Sequence, residues 1–302
     1  MPELPDVTIY VERLQALVQG QRLDALRIGN PFVLRTYELK PEAFAGRTLQ
    51  DVGRIGKRIV LALEGDLYAV MHLMIAGRLK WRPGGAILPR KLGLAAFDFE
   101  NGCLLFTEAG SKRRASLHLV EGKGALAAFD RGGVNVLDST AEEFGRALRR
   151  ENRTLKRALT DPAIVDGVGN AYSDEILHRG RLSPFKLTQS LTDDEIDALF
   201  RASVMVLNEW IERFRAEAGR GFPEKVTAFR PEMVVHGKYR QPCPVCGAPV
   251  QRIVYAQNEA NYCPGCQTEG RLLKDRALSR LLREDWPKTL EELEQRLTNK
   301  GG

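Results

Sequence analysis

The chain reads as an α+β protein: an N-terminal two-sheet antiparallel β-sandwich, a helical domain, and a zinc-binding β-hairpin near the C-terminal end. Three observations predict this. Up to about residue 138, short apolar runs alternate with tight-turn residues, as antiparallel strands require. From Ser139 the apolar spacing changes to that of helices. Four of the five cysteines fall in two close pairs, Cys243/Cys246 and Cys263/Cys266. The corresponding divisions are 1–138, 139–234, 235–270 and a C-terminal helical extension over 271–302.

One helix is expected at the start, where Val7, Val11, Leu14 and Val18 recur at helical spacing. Strands follow at Arg58 to Leu63 and Leu67 to Leu73, joined by Glu64-Gly65-Asp66. Ala95 to Glu100 and Cys103 to Thr107 flank Asn101-Gly102, a hairpin signal because both residues tolerate positive φ. Cys103 is a packed strand residue in this reading. Ser139-Thr140-Ala141-Glu142 and Thr192-Asp193-Asp194-Glu195 have the pattern of capping boxes, which satisfy the orphan amides of a helix start. Between them, Asp166-Gly167-Val168-Gly169-Asn170 is a turn feeding a helix from Ala171 to His178. Gly219 to Pro231 has the length and glycine content of a mobile loop. Leu272/Leu273, Ala277/Leu278 and Leu281/Leu282, then Leu290, Leu293 and Leu297, recur at helical spacing and place helices in the extension.

Composition narrows the function classes. The 302 residues suit about two domains, and 43% hydrophobic with 28% charged residues excludes a disordered or fibrous chain. The apolar stretch Leu67 to Gly77 is shorter than the ~20 residues that span a bilayer. The first residues lack a basic-then-apolar leader pattern, so a cytoplasmic protein without membrane partners is expected. The net charge of +6 is compatible with a polyanionic partner.

The spacing Cys243-x2-Cys246-x16-Cys263-x2-Cys266 is that of a tetrahedral four-thiolate zinc site, with a β-hairpin between the pairs. Four thiolates leave no place for water, so one structural zinc ion is expected. At the other end, Met1-Pro2 is a junction that aminopeptidases trim, leaving Pro2 with a free secondary amine. Such an amine has a pKa near ~8 and is nucleophilic at neutral pH. Adding to an aldehyde-level carbon, it forms an iminium that acts as an electron sink, and Glu3 beside it can move protons.

Pro2-Glu3-Leu4-Pro5-Asp6, Gly56-Lys57 before a strand, Gly167-Val168-Gly169-Asn170 before a helix and the four-cysteine hairpin occur in that order. In this the chain resembles the formamidopyrimidine-DNA glycosylase / endonuclease VIII family of base-excision enzymes over about residues 2 to 268. The resemblance implies a bifunctional DNA glycosylase and AP lyase acting, as a monomer, on double-stranded DNA with oxidised or abasic sites. It makes residues 1–138 catalytic, gives 139–234 a helix–two-turn–helix element with a lid-like loop, and makes Pro2 the nucleophile and Glu3 the acid/base. Lys57 is matched to a contact with phosphates at the lesion. Lys156 and Asn170 are matched to further DNA contacts, and Glu175 to a family glutamate near the site. Base eversion costs a few kcal/mol and needs residues that fill the gap.

The sequence departs from the family at informative places. Asp6 replaces the glutamate of the pentad. Met74-Ile75 stands where the family has Gly-Met, so Ile75 is the expected gap filler. The Pro-Arg-Arg-Phe segment is absent, and in Ala109-Gly110-Ser111-Lys112-Arg113-Arg114-Ala115 the candidate DNA contact is Arg113. Tyr255-Ala256-Gln257-Asn258 stands where the family has His-Ala-Gln-Arg, so Asn258 takes the position of a phosphate-gripping arginine and lacks its charge. The rival reading is a non-catalytic or weakly active binder of damaged or abasic DNA with the same fold.

Overall fold

A computed structural model describes residues 1–110, 112–224, 226, 230–255, 258–274, 287–292 and 295, excepting the side chains of Tyr255 and Asn258. The expected apolar positions Ala277, Leu278, Leu281, Leu282, Leu293 and Leu297 lie outside the described residues, as do Ser111, Ala256 and Gln257. The chain forms two compact units, Met1–Arg131 with Asn208–Ala228, and Gly132–Leu207 with Phe229–Gly302.

The first unit opens with α1 (Leu4–Val18), β1 (Arg22–Ile28), β2 (Arg47–Ile55), β3 (Arg58–Leu63) and β4 (Leu67–His72). It continues with β5 (Gly77–Arg82), β6 (Gly93–Phe99), β7 (Gly102–Glu108), β8 (Ser116–Glu121) and the short α2 (Lys123–Ala127). The strands form one antiparallel sheet in the order β5-β7-β6-β1-β2-β3-β4-β8. Between β1 and β2 only Arg22↔Thr48 and Leu23↔Arg47 pair, so the two four-stranded halves meet along a narrow seam. Leu79, Phe97 and Phe106 of one half share a single core with Leu61, Met71 and Leu117 of the other, joined by Val7, Tyr10, Leu14 and Val18 of α1. The predicted two-sheet antiparallel sandwich is thus present, its two halves continuous through the β1–β2 seam and burying a common face.

The period of two decides what faces outward. In β3, Ile59 and Leu61 enter the core, while Val60 and Ala62 form a second, smaller cluster with Tyr68, Val70, Val120, Leu126 and Phe129. Arg58, His72 and His118 share the parity of that outer face, with Arg58 paired to His72 and Val70 to His118.

The Asn101-Gly102 hairpin is present, with Phe99 paired to Gly102, but neither Asn101 nor Gly102 has a positive φ. Glycine is needed there for space: a Cβ on Gly102 would lie 2.3 Å from the Trp81 ring. In the Glu64-Gly65-Asp66 turn the expectation holds, with φ of 84° at Gly65 and 54° at Asp66.

The second unit contains α3 (Ala141–Arg149), α4 (Leu155–Thr160), α5 (Asn170–Arg179) and the start of α6 (Asp193–Ala218). It then forms β9 (Gln251–Tyr255), β10 (Asn258–Tyr262) and the one-turn α7 (Pro264–Gln267). Its interior is made by Phe144, Leu148, Leu155, Leu159, Tyr172, Ile176, Leu177 and Leu199, all buried. The first capping box is shifted by one residue. Thr140, not Ser139, is the N-cap, and it exchanges hydrogen bonds with Glu143. The second is as expected: the Thr192 N–H donates to Glu195 and the Glu195 N–H to Thr192 Oγ1.

The segment expected to be a mobile loop is anchored at its start. After α6, whose Arg215 pairs with Glu12 of α1, Phe222 stacks 5.6 Å from Tyr10 and Val226 is buried in the sandwich core. Glu224 forms an ion pair with Arg82. Two apolar anchors and an ion pair oppose free motion of these residues; Lys225 and residues 227–229 lie outside the described ones. No helix among the described residues is long and apolar enough to cross a membrane.

Gly102→Ala tests the space argument. Overpacking against Trp81 is expected to cost about 1–3 kcal/mol, whereas a glycine kept only for turn flexibility would be stabilised by alanine at a negative φ. Urea denaturation distinguishes the two signs.

Candidate functional site

The N-terminal end is held rigidly by its own helix. Asp6 is the third residue of α1, and its Oδ2 accepts the Glu3 N–H at 2.8 Å, while the Val7 N–H donates to the Glu3 carbonyl at 2.9 Å. Asp6, one methylene shorter than the family's glutamate, thus still reaches the helix start, which favours an acidic side chain. Pro2, Glu3 and Asp6 are all buried. The chain's terminal amine, carried by Met1, is pushed below its ordinary value chiefly by burial. The Glu3 and Asp6 carboxylates oppose this shift, and the cations of Arg78 and Lys57 add to it.

Lys57 follows Gly56, whose φ of 60° makes the tight turn from β2 to β3. It is therefore a turn residue at the mouth of a hairpin. Arg78, which no sequence motif singles out, lies at the start of β5 and donates to the carbonyls of Ile75 (3.0 Å) and Gly77 (2.6 Å).

The β4–β5 turn presents the expected gap filler. Ile75 is 64% exposed, as the expectation requires, although Phe32, Tyr37 and Ile87 of the same unit are more exposed still. Met74 beside it has φ of 51°, a left-handed conformation costing a non-glycine residue about 1–2 kcal/mol. The Met74 N–H donates to His72 Nδ1 at 3.1 Å, so the His72 proton resides on Nε2. Burial, then Arg58, Lys57 and His118, push the His72 pKa down to about 4, keeping it a neutral donor at physiological pH. The basic loop is fixed next to this turn. The Ala109 N–H donates to the Ala76 carbonyl, and buried Glu108 accepts the N–H groups of Arg114 and Ala115. Arg113 is exposed and donates to the Lys91 carbonyl at 2.6 Å.

In the second unit, Gly167 (φ 75°) turns the chain into α5, but Gly169 is the N-cap and Asn170 the first helical residue. Asn170 is half-buried at a helix N-terminus, where backbone amides favour an anion. Lys156 does not join it as a phosphate contact. It is 1% exposed, and its Nζ donates to the Asn170 carbonyl (2.6 Å), Ser173 Oγ (2.9 Å) and Asp174 Oδ1 (2.6 Å). With three acceptors an ammonium is saturated, so the expectation for Lys156 is corrected: it braces the turn before α5 from inside.

Asp174 extends that brace. Its Oδ2 receives His236 Nδ1 at 2.8 Å and Asn261 Nδ2 at 3.1 Å, and all three residues are buried. Glu175 accepts the N–H groups of Val234, Val235 and His236 at 2.8–2.9 Å. It orders the segment leading into the zinc hairpin and, in this structure, is a structural carboxylate.

The four cysteine sulfurs converge. Cys246 and Cys263 are 3.3 Å apart and Cys243 and Cys266 3.9 Å, bracketing the ~3.8 Å edge of a tetrahedron with Zn–S bonds of about 2.3 Å. The hairpin between the pairs is β9–β10, with Tyr255 paired to Asn258. Sequence reasoning missed His178, whose Nε2 lies 3.4 Å from Cys243 Sγ and within the same donor cluster as Cys243, Cys263 and Cys266. Its position at the end of α5 is set by tertiary packing, which no local motif announces.

An antiparallel β-sandwich with a capped, buried N-terminal end, a helical unit and a four-cysteine hairpin together define an α+β protein with a zinc finger. Family models agree: the formamidopyrimidine-DNA glycosylase N-terminal domain over residues 1–114, its H2TH domain over 135–218, and the zinc finger found in FPG and IleRS over 240–268. The formamidopyrimidine-DNA glycosylase of Thermus thermophilus is 35% identical over 280 residues, covering 89% of this chain and 100% of that protein. The crystal structure of the FPG protein from the same organism superposes with a TM-score of 0.74 at 34% identity, over 88% of this chain and 98% of that one. The wild-type Lactococcus lactis Fpg, in complex with DNA containing an oxidised pyrimidine, superposes at 0.77 with 25% identity, over 88% of this chain and 100% of that one. The chain belongs to the formamidopyrimidine-DNA glycosylase / endonuclease VIII family with a zinc finger. It is thus a base-excision DNA glycosylase with one structural zinc ion.

The second unit can be tested at its brace and at its metal. Lys156→Met should cost about 3–5 kcal/mol, because Asp174 then stays buried without its cation. The salt dependence of DNA binding by the folded fraction should be unchanged, as a fluorescence titration at several ionic strengths will show. Chelating the zinc should melt the hairpin and remove DNA affinity while the sandwich keeps its own calorimetric transition. A single transition lost as a whole contradicts that division.

Proposed function

We propose that the chain is a bifunctional DNA glycosylase/AP lyase that excises oxidised bases from double-stranded DNA through a Schiff base on Pro2. With Met1 removed, the Pro2 nitrogen is a secondary amine next to buried Glu3. The observation that carries the reading is the geometry of the chain's start: Pro2 is buried beside buried Glu3, whose N–H is fixed by Asp6 Oδ2 at 2.8 Å. A neutral amine is the nucleophilic form.

In the reaction the Pro2 nitrogen bonds to C1′ of the damaged nucleotide as the glycosidic bond breaks, and the base leaves with a proton. Opening of the sugar ring, with a proton delivered to O4′ from Glu3, gives the iminium. Loss of a C2′ proton then expels the 3′ phosphate, the iminium taking the electron pair. Lys57 holds a backbone phosphate at the lesion, and His72, with its Nε2–H turned away from Met74, supports the same strand. Asn170 and the amides at the start of α5 hold a second phosphate. Ile75, Arg113 and Asn258 are placed against the duplex in this reading, Ile75 filling the gap left by the everted base. Cys243, Cys246, Cys263 and Cys266 hold the zinc, which fixes the hairpin and supplies no chemistry. The enzyme works as a monomer in the cytoplasm, with the sandwich of 1–138 catalytic and 139–234, 235–270 and 271–302 as the helix–two-turn–helix, zinc-finger and C-terminal parts.

Borohydride trapping tests the proposal. Met-free protein incubated with abasic-site duplex and borohydride should give a covalent adduct, and Pro2→Gly should reduce its yield at least about tenfold. Duplex binding without any adduct in wild type overturns the Schiff-base chemistry on Pro2, and absence of base release as well would make the chain a binder of damaged or abasic DNA.

A further inference from the structure

The outer face of β3, β4 and β8 carries a group of basic side chains that form no ion pair among the described residues. Arg58 pairs across the sheet with His72, and His118 pairs with Val70 one strand further on. The Arg58 guanidinium lies over the Phe129 ring at 5.6 Å, and the His118 ring meets the same phenyl edge-on at 4.9 Å. Phe129 thus clamps both basic groups to one spot, the guanidinium through a cation–π contact. Arg131 follows two residues after Phe129. Arg35 is held beside His118 because its N–H donates to the Leu117 carbonyl at 3.0 Å.

Among the described residues none of Arg35, Arg58, His118 and Arg131 forms an ion pair, and Arg58 Nε is buried with no hydrogen-bond partner. The contrast with other arginines of the same unit is direct: Arg27, Arg82 and Arg215 each hold a carboxylate. Burial, then Arg131, lowers the pKa of Arg58, and burial, then Arg58 and Arg35, lowers that of His118, so each group sees mainly solvent loss and other cations. Half-buried unmatched donors cost stability, and an anion placed among them relieves the cost.

We propose that Arg58 and His118, clamped on Phe129 and flanked by Arg131 and Arg35, form a further backbone-phosphate site for the DNA strand that Lys57 and His72 engage. The guanidinium offers the two-pronged donor that a phosphodiester accepts, and the imidazole a single N–H. The inference rests on the DNA-binding reading above, since Arg58 is contiguous with Lys57 in the chain and with His72 across the sheet. It extends the footprint of the sandwich beyond the lesion itself and changes affinity more than chemistry.

The test uses full-length, zinc-loaded protein and a duplex carrying a tetrahydrofuran abasic analogue, with affinity read by fluorescence anisotropy from low to moderate salt. Arg58→Gln should weaken binding roughly 3- to 10-fold at low salt and reduce the log–log salt slope by about 0.9, the value for one phosphate contact. Arg58→Lys should restore the slope. His118→Gln should weaken binding with little change of slope, and Arg47→Gln, an exposed arginine elsewhere on the sandwich, should do neither. Melting curves confirm that each variant is folded, and single-turnover excision at saturating DNA should stay near wild type. Replacing single phosphates by neutral methylphosphonates should reveal one backbone position at which wild type and Arg58→Gln bind equally. Wild type that binds and excises while Arg58→Gln and His118→Gln match it in affinity and slope overturns this site alone. Wild type that shows no salt-dependent duplex binding overturns the functional reading and this site with it.

Discussion

The buried carboxylate of Asp174 organises the second unit. An ionised group with no solvent access is tolerated only when its oxygens are answered, and here one oxygen takes the Lys156 ammonium while the other takes His236 and Asn261. Those partners come from α4, from the segment before the first cysteine pair and from β10. One charge therefore ties the turn that presents Asn170 to the hairpin that holds the zinc. Glu175, the next residue, repeats the device with three backbone amides. Adjacent residues of one helix so fix two separate stretches of the zinc-finger region. Directed hydrogen bonds to a buried charge set that register more sharply than the apolar packing of Val235, Val250, Cys243 and Cys263 beside them does.

The same logic appears in miniature at the N-terminal end. Glu3 is useful to the proposed chemistry only if it is held, and α1 holds it by its own first turn through Asp6. The substitution of Asp for the family's Glu is therefore compatible with the motif. The relevant distance runs to the Glu3 amide, in the first turn of the helix, where a negative charge is favoured.

Much of this is legible in the sequence. The cysteine spacing, the N-terminal pentad and the change of apolar period at Ser139 carry local information, and each corresponds to a local structure. What stays hidden depends on distant partners. Lys156 reads as a surface lysine among Arg153 and Arg157 because nothing nearby in sequence shows that Asp174, Ser173 and the Asn170 carbonyl close around it. His178 and His236 reach their partners only after α5 packs on the hairpin. Gly102 marks the right turn for the wrong reason, since its space is taken by Trp81 from another strand. The glycines after α6 suggest a loose segment, but Phe222 and Val226 find the sandwich core, and glycine content says nothing about such anchors.

The four histidines divide evenly between two environments. His178 and His236 lie within the second unit beside a thiolate and a carboxylate, where a neutral or donating imidazole completes a fixed network. His72 and His118 lie on the outer face of the sandwich among cations, with no such anionic partner among the described residues. Two histidines therefore stabilise the unit that positions the zinc hairpin, and two sit where an external anion can answer the charge around them. Asp174 meets its counter-charge inside the helical unit, whereas Arg58 and His118 on the sandwich face form no ion pair among the described residues. In the phosphate site proposed for this face, a polyanion laid along β3, β4 and β8 supplies the missing negative charge, in keeping with the sign of the net charge of +6.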